Sequence, residues 1–184
     1  MLHKMEQTYR PPALRRIRSA ECRDAYALAM LTQDDLSALQ YGCPRLASPE
    51  WWHQRIRQAL EGGRIFVAEC GDDVLGMVTL EVALGNWFRR HVGALGLCVH
   101  PEHRRRGIGR QLLSFALDEA NEIGLARVEL TVWSDNTSAI GLYESAGFAR
   151  EGEHPHYGFK SGRHCSALTM GLQMGREPFP TARV

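Results

Sequence analysis

No apolar run in this chain approaches the ~20 residues needed to cross a bilayer, so no membrane-spanning helix is predicted and a membrane partner is excluded. The five cysteines, at 22, 43, 70, 98 and 165, form no C-x-x-C pair and are odd in number. That argues against a disulfide framework and for a reducing compartment. The opening residues, Met1 to Thr8, contain no signal-peptide apolar core, and the expectation is a cytoplasmic protein. A strong charge of either sign is also missing. Lys and Arg number 22 against 21 Asp and Glu, a net +1, which excludes a general nucleic-acid binder. We find no internal repeat, low-complexity tract or linker, and 184 residues suit one domain with a full core. The expected organisation is an N-terminal arm over 1–12, one domain over 13–172 and a tail over 173–184.

The arginines that are present are clustered, at 15–18, 89–90 and 104–110. The last cluster lies in Leu97-Cys98-Val99-His-Pro-Glu-His-Arg104-Arg105-Arg106-Gly107-Ile108-Gly109-Arg110-Gln-Leu-Leu113. An apolar strand runs into a turn, and the turn delivers arginines and two glycines to the start of an amphipathic helix. Helix starts carry unpaired N–H groups and a partial positive charge, and glycine lets backbone approach a ligand closely. The segment therefore reads as an anion cradle, with pyrophosphate as the expected anion. It lacks the Gly-Lys-Ser/Thr ending of nucleoside-triphosphate loops.

Around the cradle the periodicity predicts a strand at 14–18, a helix at 20–31, and a helix from Pro49 to about Leu60 capped by Ser48. A hairpin follows, with strands 64–70 and 74–82, and then a strand at 91–99. After the cradle helix come a strand at 127–133, a short helix at 137–145, and two strands, 148–153 and 165–172, joined by a loop. The order β-α-α-β-β-β-α-β-α-β-β implies an α+β fold with a mixed sheet.

A second motif stands one strand beyond the cradle: Asn136-x-x-Ala139-x-x-x-Tyr143-x-x-x-Gly147-Phe148. With Arg104-x-x-Gly107-x-Gly109 before it, the chain resembles the GCN5-related N-acetyltransferase (GNAT) family over roughly residues 14–172. Arg127 to Asn136 and Tyr157 to Met170 are similar to the bacterial single-domain L-amino acid N-acetyltransferases. The resemblance implies a mostly antiparallel sheet of about seven strands with helices on both faces. It implies transfer of acetyl from acetyl-CoA to a small amine, a free L-amino acid in that subgroup, and a homodimer. Other acceptors in such families are peptide N-termini, antibiotics and herbicide amines, and a non-catalytic acyl-CoA sensor is a further reading.

The resemblance also implies residue roles. The backbone of Leu97, Cys98 and Val99 would bind the pantetheine amides. Arg105, Arg106, Gly107, Ile108, Gly109 and Arg110 would wrap the pyrophosphate, with Arg104 at the family's Arg/Gln position. Asn136 would bond the cofactor arm and Tyr143 would protonate the departing thiolate. The glutamate that several members carry five residues before this Asn is Thr131 here, so its role as base is not carried over. An α-amine with a pKa of about 8 is about one-tenth neutral at pH 7, a cost of only about 1.4 kcal/mol, so a water relay could replace a strong base.

Other residues keep two readings. Asn136 equally suits the cap of the helix at 137. Glu81 and Glu129 are candidate bases or amine binders, or solvent-facing strand carboxylates. Trp87 and Tyr157 are candidate acceptor contacts, and Trp51, Trp52, Trp87 and Phe88 form either an acceptor wall or core. Gly107 and Gly109 are expected to exclude a Cβ from the ligand's path. Cys98 reads as a small buried hydrophobe. His100 and His103 read as surface side chains, and no cluster predicts a metal.

Overall fold

The computed structural model describes residues 16–33, 47–59, 63–82, 86–160 and 162–175. The expected arm and most of the loop at 40–47 lie outside these residues, as does the tail beyond residue 175. Seven strands form one sheet in the order β1-β2-β3-β4-β5-β7-β6. They are β1 (Arg16–Ser19), β2 (Gly63–Cys70), β3 (Asp73–Val82), β4 (Val92–Val99), β5 (Arg127–Trp133), β6 (Ala149–Lys160) and β7 (Arg163–Gln173). Every neighbouring pair is antiparallel except β4–β5. The helices are α1 (Ala25–Gln33), α2 (Pro49–Ala59), α3 (Ile108–Glu122) and α4 (Thr137–Ser145).

Alternation along the strands sorts the side chains into two cores. On one face, Leu75, Leu80, Leu95, Val128, Leu130 and Val132 pack against Leu112, Leu113 and Ala116 of α3 and Ile140 and Tyr143 of α4. On the other, Val67, Met77 and Cys98 meet Leu28 and Leu31 of α1 and Trp52 and Ile56 of α2. Each fully buried leucine contributes about 1.5–3 kcal/mol, which holds the helices to the sheet. Ser48 caps α2 through its side chain, its Oγ accepting from Trp51 N at 3.2 Å, and Pro49 starts the helix.

Two local expectations are corrected. The expected helix at 20–31 is a 3-10 turn (Cys22–Asp24) followed by α1. Its cause is Asp24, only 5% exposed. The Asp24 carboxylate accepts from Glu21 N at 2.8 Å and from both terminal nitrogens of Arg18, at 2.7 and 2.9 Å. Arg18 also donates through Nε to Glu69 at 2.5 Å, which ties β1, the turn and β2 together. The second correction concerns the expected loop at 154–164, which is mostly strand. Pro155, Gly158 and the histidines resemble loop sequence, but the proline falls in a bulge. Pairing passes from His154–Ala167 to Gly158–Cys165, so three residues of β6 stand against one of β7.

Candidate active site

β4 and β5 pair over three residues only, Val92–Arg127, Gly93–Val128 and Ala94–Glu129. Beyond Ala94 the two strands part company. β4 stays paired with β3 through Val99, and β5 stays paired with β7 through Trp133. The cause is the connection: β4 turns into α3 at one edge of the gap, and β5 turns into α4 at the other. The result is a wedge-shaped opening in the sheet, flanked on β4 by Leu97, Cys98 and Val99. Over this stretch β4 pairs with β3 on one side and with no strand on the other.

The cradle closes the wide end of the wedge. Pro101–His103 form a 3-10 turn with the His100 ring accepting from Glu102 N. Arg105 then takes φ 63 and Gly107 φ 81. Left-handed residues alternating with ordinary ones turn successive N–H groups inward as an anion nest. Gly107 is the N-cap of α3 and offers no capping side chain. The first intrahelical bond there is Gln111 N to Gly107 O, at 3.1 Å. The N–H groups of Ile108, Gly109 and Arg110 therefore have no helical acceptor and point at the nest, the arrangement that binds phosphate. Arg105, Arg106 and Arg110 are exposed, with Arg106 Nη1 3.3 Å from His103 Nδ1. Arg104 instead donates from Nε to the Val99 carbonyl at 3.0 Å, pinning the turn to the end of β4.

The two glycines differ in what an added Cβ would meet within the chain. A Cβ at Gly107 would meet nothing nearer than Gln111 Nε2 at 3.8 Å, so its requirement is conformational. A Cβ at Gly109 would meet side chains of Leu142, Val99 and Leu97 at 3.4, 3.6 and 3.7 Å. Gly109 thus marks where α3, α4 and the parted half of β4 converge, with Tyr143 adjacent to Leu142. His103, expected on the surface, is buried. Desolvation, then the nearby charges of His100 and Arg106, push its pKa below the ordinary histidine value.

Tyr143 is 3% exposed, and its ring stands 5.8 Å from that of Phe148. Asn136 caps α4, its side-chain oxygen accepting from Ala139 N at 3.2 Å, and so sits at the mouth of the wedge opposite the cradle. Cys98 points to the other face and donates its thiol to the Leu31 carbonyl at 3.6 Å. Among the described residues, Thr79 Oγ1 is the buried side-chain polar atom without a hydrogen-bond partner. Thr79 lies opposite Gly96, within the parted stretch of β4, and sequence reasoning missed it.

The remaining candidates divide. Glu81, Ala94 and Glu129 form one rung across the sheet at the apex of the wedge. Glu81 is ion-paired with Arg55, and Glu129 with Arg89 and Arg127, so both carboxylates are committed to arginines. Trp87 lies on the surface, 67% exposed, beneath the Arg90 guanidinium at 3.4 Å. Phe88 is 86% exposed, whereas Trp52 is buried and donates to Thr32 Oγ1. The four aromatics therefore form no common wall. Tyr157 stacks edge-on against Trp133 at 5.8 Å, above the β5–β7 surface. No three His, Cys, Asp or Glu side chains gather as metal ligands among the described residues. No described helix is long and apolar enough to cross a membrane.

A nest of N–H groups at one end of a slot with exposed backbone is a fitted receptacle for a diphosphate carrying an amide-bearing arm. Comparison with known proteins agrees. The sequence profile of the acetyltransferase (GNAT) family matches residues 15–148. The L-amino acid N-acetyltransferase AaaT of Escherichia coli is 32% identical over 158 residues, 84% of this chain and 94% of that protein. The L-amino acid N-acyltransferase MnaT of the same organism is 33% identical over 111 residues, 58% of this chain and 64% of that protein. Among solved structures, yncA of Salmonella typhimurium with its cofactor acetyl-CoA superposes with a TM-score of 0.78 at 26% identity, covering 91% of this chain and 98% of that one. A ribosomal-protein-alanine N-acetyltransferase of Brucella melitensis does so with a TM-score of 0.78 at 28% identity, covering 86% and 99%.

Proposed function

This chain belongs to the acetyltransferase (GNAT) family and is an acetyl-CoA-dependent enzyme; from that premise we propose that its acceptor is the α-amine of a free L-amino acid, acetylated in the cytoplasm by direct attack in a ternary complex. The observation that carries the donor half is the union of the nest at 105–110 with the parted stretch of β4. The acceptor half is supported by the similarity to AaaT and MnaT.

Acetyl-CoA supplies an activated thioester and a diphosphate handle. The chain's own groups do the rest. The N–H groups of Ile108, Gly109 and Arg110 hold the diphosphate, at about 1.5–3 kcal/mol for each bond to a charged group. The backbone of Leu97 to Val99 holds the arm, and a β4 N–H near Val99 meets the developing oxyanion. Asn136, already fixed as the cap of α4, borders the arm. Tyr143 sits in the apolar core beside this path and donates its phenolic proton to the leaving sulfur. Solution values place that transfer uphill by roughly 2 kcal/mol, which is tolerable when it accompanies C–S cleavage. Glu81 and Glu129, held by arginines at the apex, line the approach of the amine.

The test is thiol release from acetyl-CoA across a panel of free L-amino acids, polyamines and a peptide with N-terminal alanine. The expected result is turnover with free amino acids at kcat/KM at least tenfold above the peptide. Preference for the peptide, or for amines without a carboxylate, would refute the acceptor assignment.

A further inference from the structure

Glu81 and Glu129 are both held by arginines, and Thr131, in the parted stretch of β5, offers no carboxylate to the amine's proton. The surface beside the wedge supplies a different receiver. On the face that carries Glu81 and Glu129, Thr131 of β5 lies directly opposite Thr169 of β7. Residues opposite one another on neighbouring strands bring their side chains together. On the far side of Thr169 is His154 of β6, its Nε2 2.7 Å from Thr169 Oγ1. A line of proton-carrying groups thus runs outward from the wedge: Thr131, Thr169, His154.

The fold spends a distortion to make this line. β6 bulges immediately after His154, with His156 at φ 53, and the bulge swings Tyr157 back over the sheet. The Tyr157 ring stands 5.8 Å from both His154 and Trp133. Gly158 passes so close beneath Trp133 that a Cβ there would lie 2.6 Å from its ring. Bulges of this kind re-aim side chains beside active sites. Here it sets an imidazole against a hydroxyl, under an aromatic wall, with one side of the ring open to solvent.

We propose that His154, acting through the hydroxyl of Thr169, is the proton acceptor for the attacking amine. The inference rests on the acetyl-transfer reading but not on the identity of the acceptor. The amine nitrogen attacks the thioester carbonyl carbon, the N–C bond forms, and the C–S bond breaks with its electron pair leaving on sulfur. The proton shed by nitrogen passes to Thr169 Oγ1 as the Thr169 hydroxyl proton passes to His154 Nε2. The imidazolium returns its proton to solvent, and the thiolate takes one from Tyr143, which is replenished in turn. The titratable group beside His154 is the Tyr157 phenol on its own strand. Farther along the same face, Arg127 and Glu129 of β5 and Glu151 of β6 pair with one another.

The test is the pH profile of kcat/KM for the wild type, His154→Gln, Thr169→Val and Thr169→Ser, from about pH 5 to 9, which includes the range where an ordinary imidazole changes charge. His154→Gln and Thr169→Val are expected to lose about 10²- to 10³-fold near neutrality, with KM for acetyl-CoA within about twofold. Serine at 169, which keeps the hydroxyl, recovers most of the loss. The deficit shrinks toward the acid end of the range, because only a neutral imidazole accepts a proton and the wild type there loses the same help; a folding defect would not follow this course. The proposal is overturned if His154→Gln stays within about threefold of wild type, or if its deficit is the same at every pH. If the wild type prefers an amine other than a free amino acid yet shows this same dependence, the acceptor assignment falls and His154 stands. If free amino acids turn over without any dependence on His154, the reverse holds.

Discussion

Replacing Gly107 by valine isolates what the nest does. Gly107 has φ 81, a region that costs an L-residue about 1–2 kcal/mol, and more for a β-branched one. The site is roomy, with Gln111 Nε2 at 3.8 Å the nearest atom to an added Cβ. The penalty is therefore conformational and steric crowding adds nothing. Two outcomes are open to the variant. It can hold the nest and absorb the strain, or relax the turn and withdraw one N–H from the diphosphate, at about 1.5–3 kcal/mol. Strain that is held appears as lost stability; a relaxed nest appears as lost affinity, and at about 1.4 kcal/mol per decade that second outcome, expected for a β-branched residue, weakens coenzyme A by about 10- to 100-fold. Asparagine tolerates the left-handed region and should weaken it by about threefold only. The assay is titration calorimetry with coenzyme A, alongside thermal unfolding to separate strain from loss of fold. Pantetheine, which lacks the diphosphate, serves as the control and should respond equally to wild type and variant. A valine variant that binds coenzyme A as tightly as wild type would refute the reasoning. So would a series in which alanine, valine and asparagine are indistinguishable.

Two further outcomes are expected. Tyr143→Phe preserves the packing on Phe148 and should lower kcat by about 10²-fold or more while acetyl-CoA affinity, read by calorimetry, changes by less than about twofold; retained turnover would remove Tyr143 from the chemistry. The second concerns acid stability. Burial alone would raise the pKa of Asp24, but its bonds to Arg18 and Glu21 N outweigh that, and Arg16 and Arg18 lower Glu69 likewise. A carboxyl whose pKa is depressed in the fold contributes fully above its unfolded value, about 3.9 for Asp and 4.3 for Glu, and loses that contribution as pH falls through the folded value. Urea midpoints should therefore drop below about pH 4, and Arg18→Met should cost about 3 kcal/mol at neutral pH yet flatten the acid decline. Equal slopes for the two proteins below that pH would contradict this account.

The cradle was readable because its chemistry is local: strand, turn, two glycines and arginines stand in consecutive positions. The succession of elements followed from the same local signals, and a mixed sheet from the one helical crossover. What escaped was everything set by distant pairing. Asp24 reads as an ordinary polar residue until Arg18 and Glu69 close around it. The Pro155 region reads as loop because a proline and glycines look the same in a loop and in a bulged strand. Glu81 and Glu129 looked like free carboxylates because their arginines, Arg55 and Arg89, lie 26 and 40 residues away in sequence. The surroundings of Gly109, beside Leu142, Val99 and Leu97, needed the third dimension. His103 was misplaced for the same cause, since nothing adjacent to it announces burial.

Between β4 and β5 the sheet is stitched by three residue pairs where its other long seams have seven or more. One apolar core nonetheless runs beneath both halves, joining Leu80 and Leu95 to Val128 and Leu130 under α3 and α4. A guest lodged along the unpaired remainder of that seam supplies backbone partners that neither strand offers the other there, and so completes the sheet for as long as it stays.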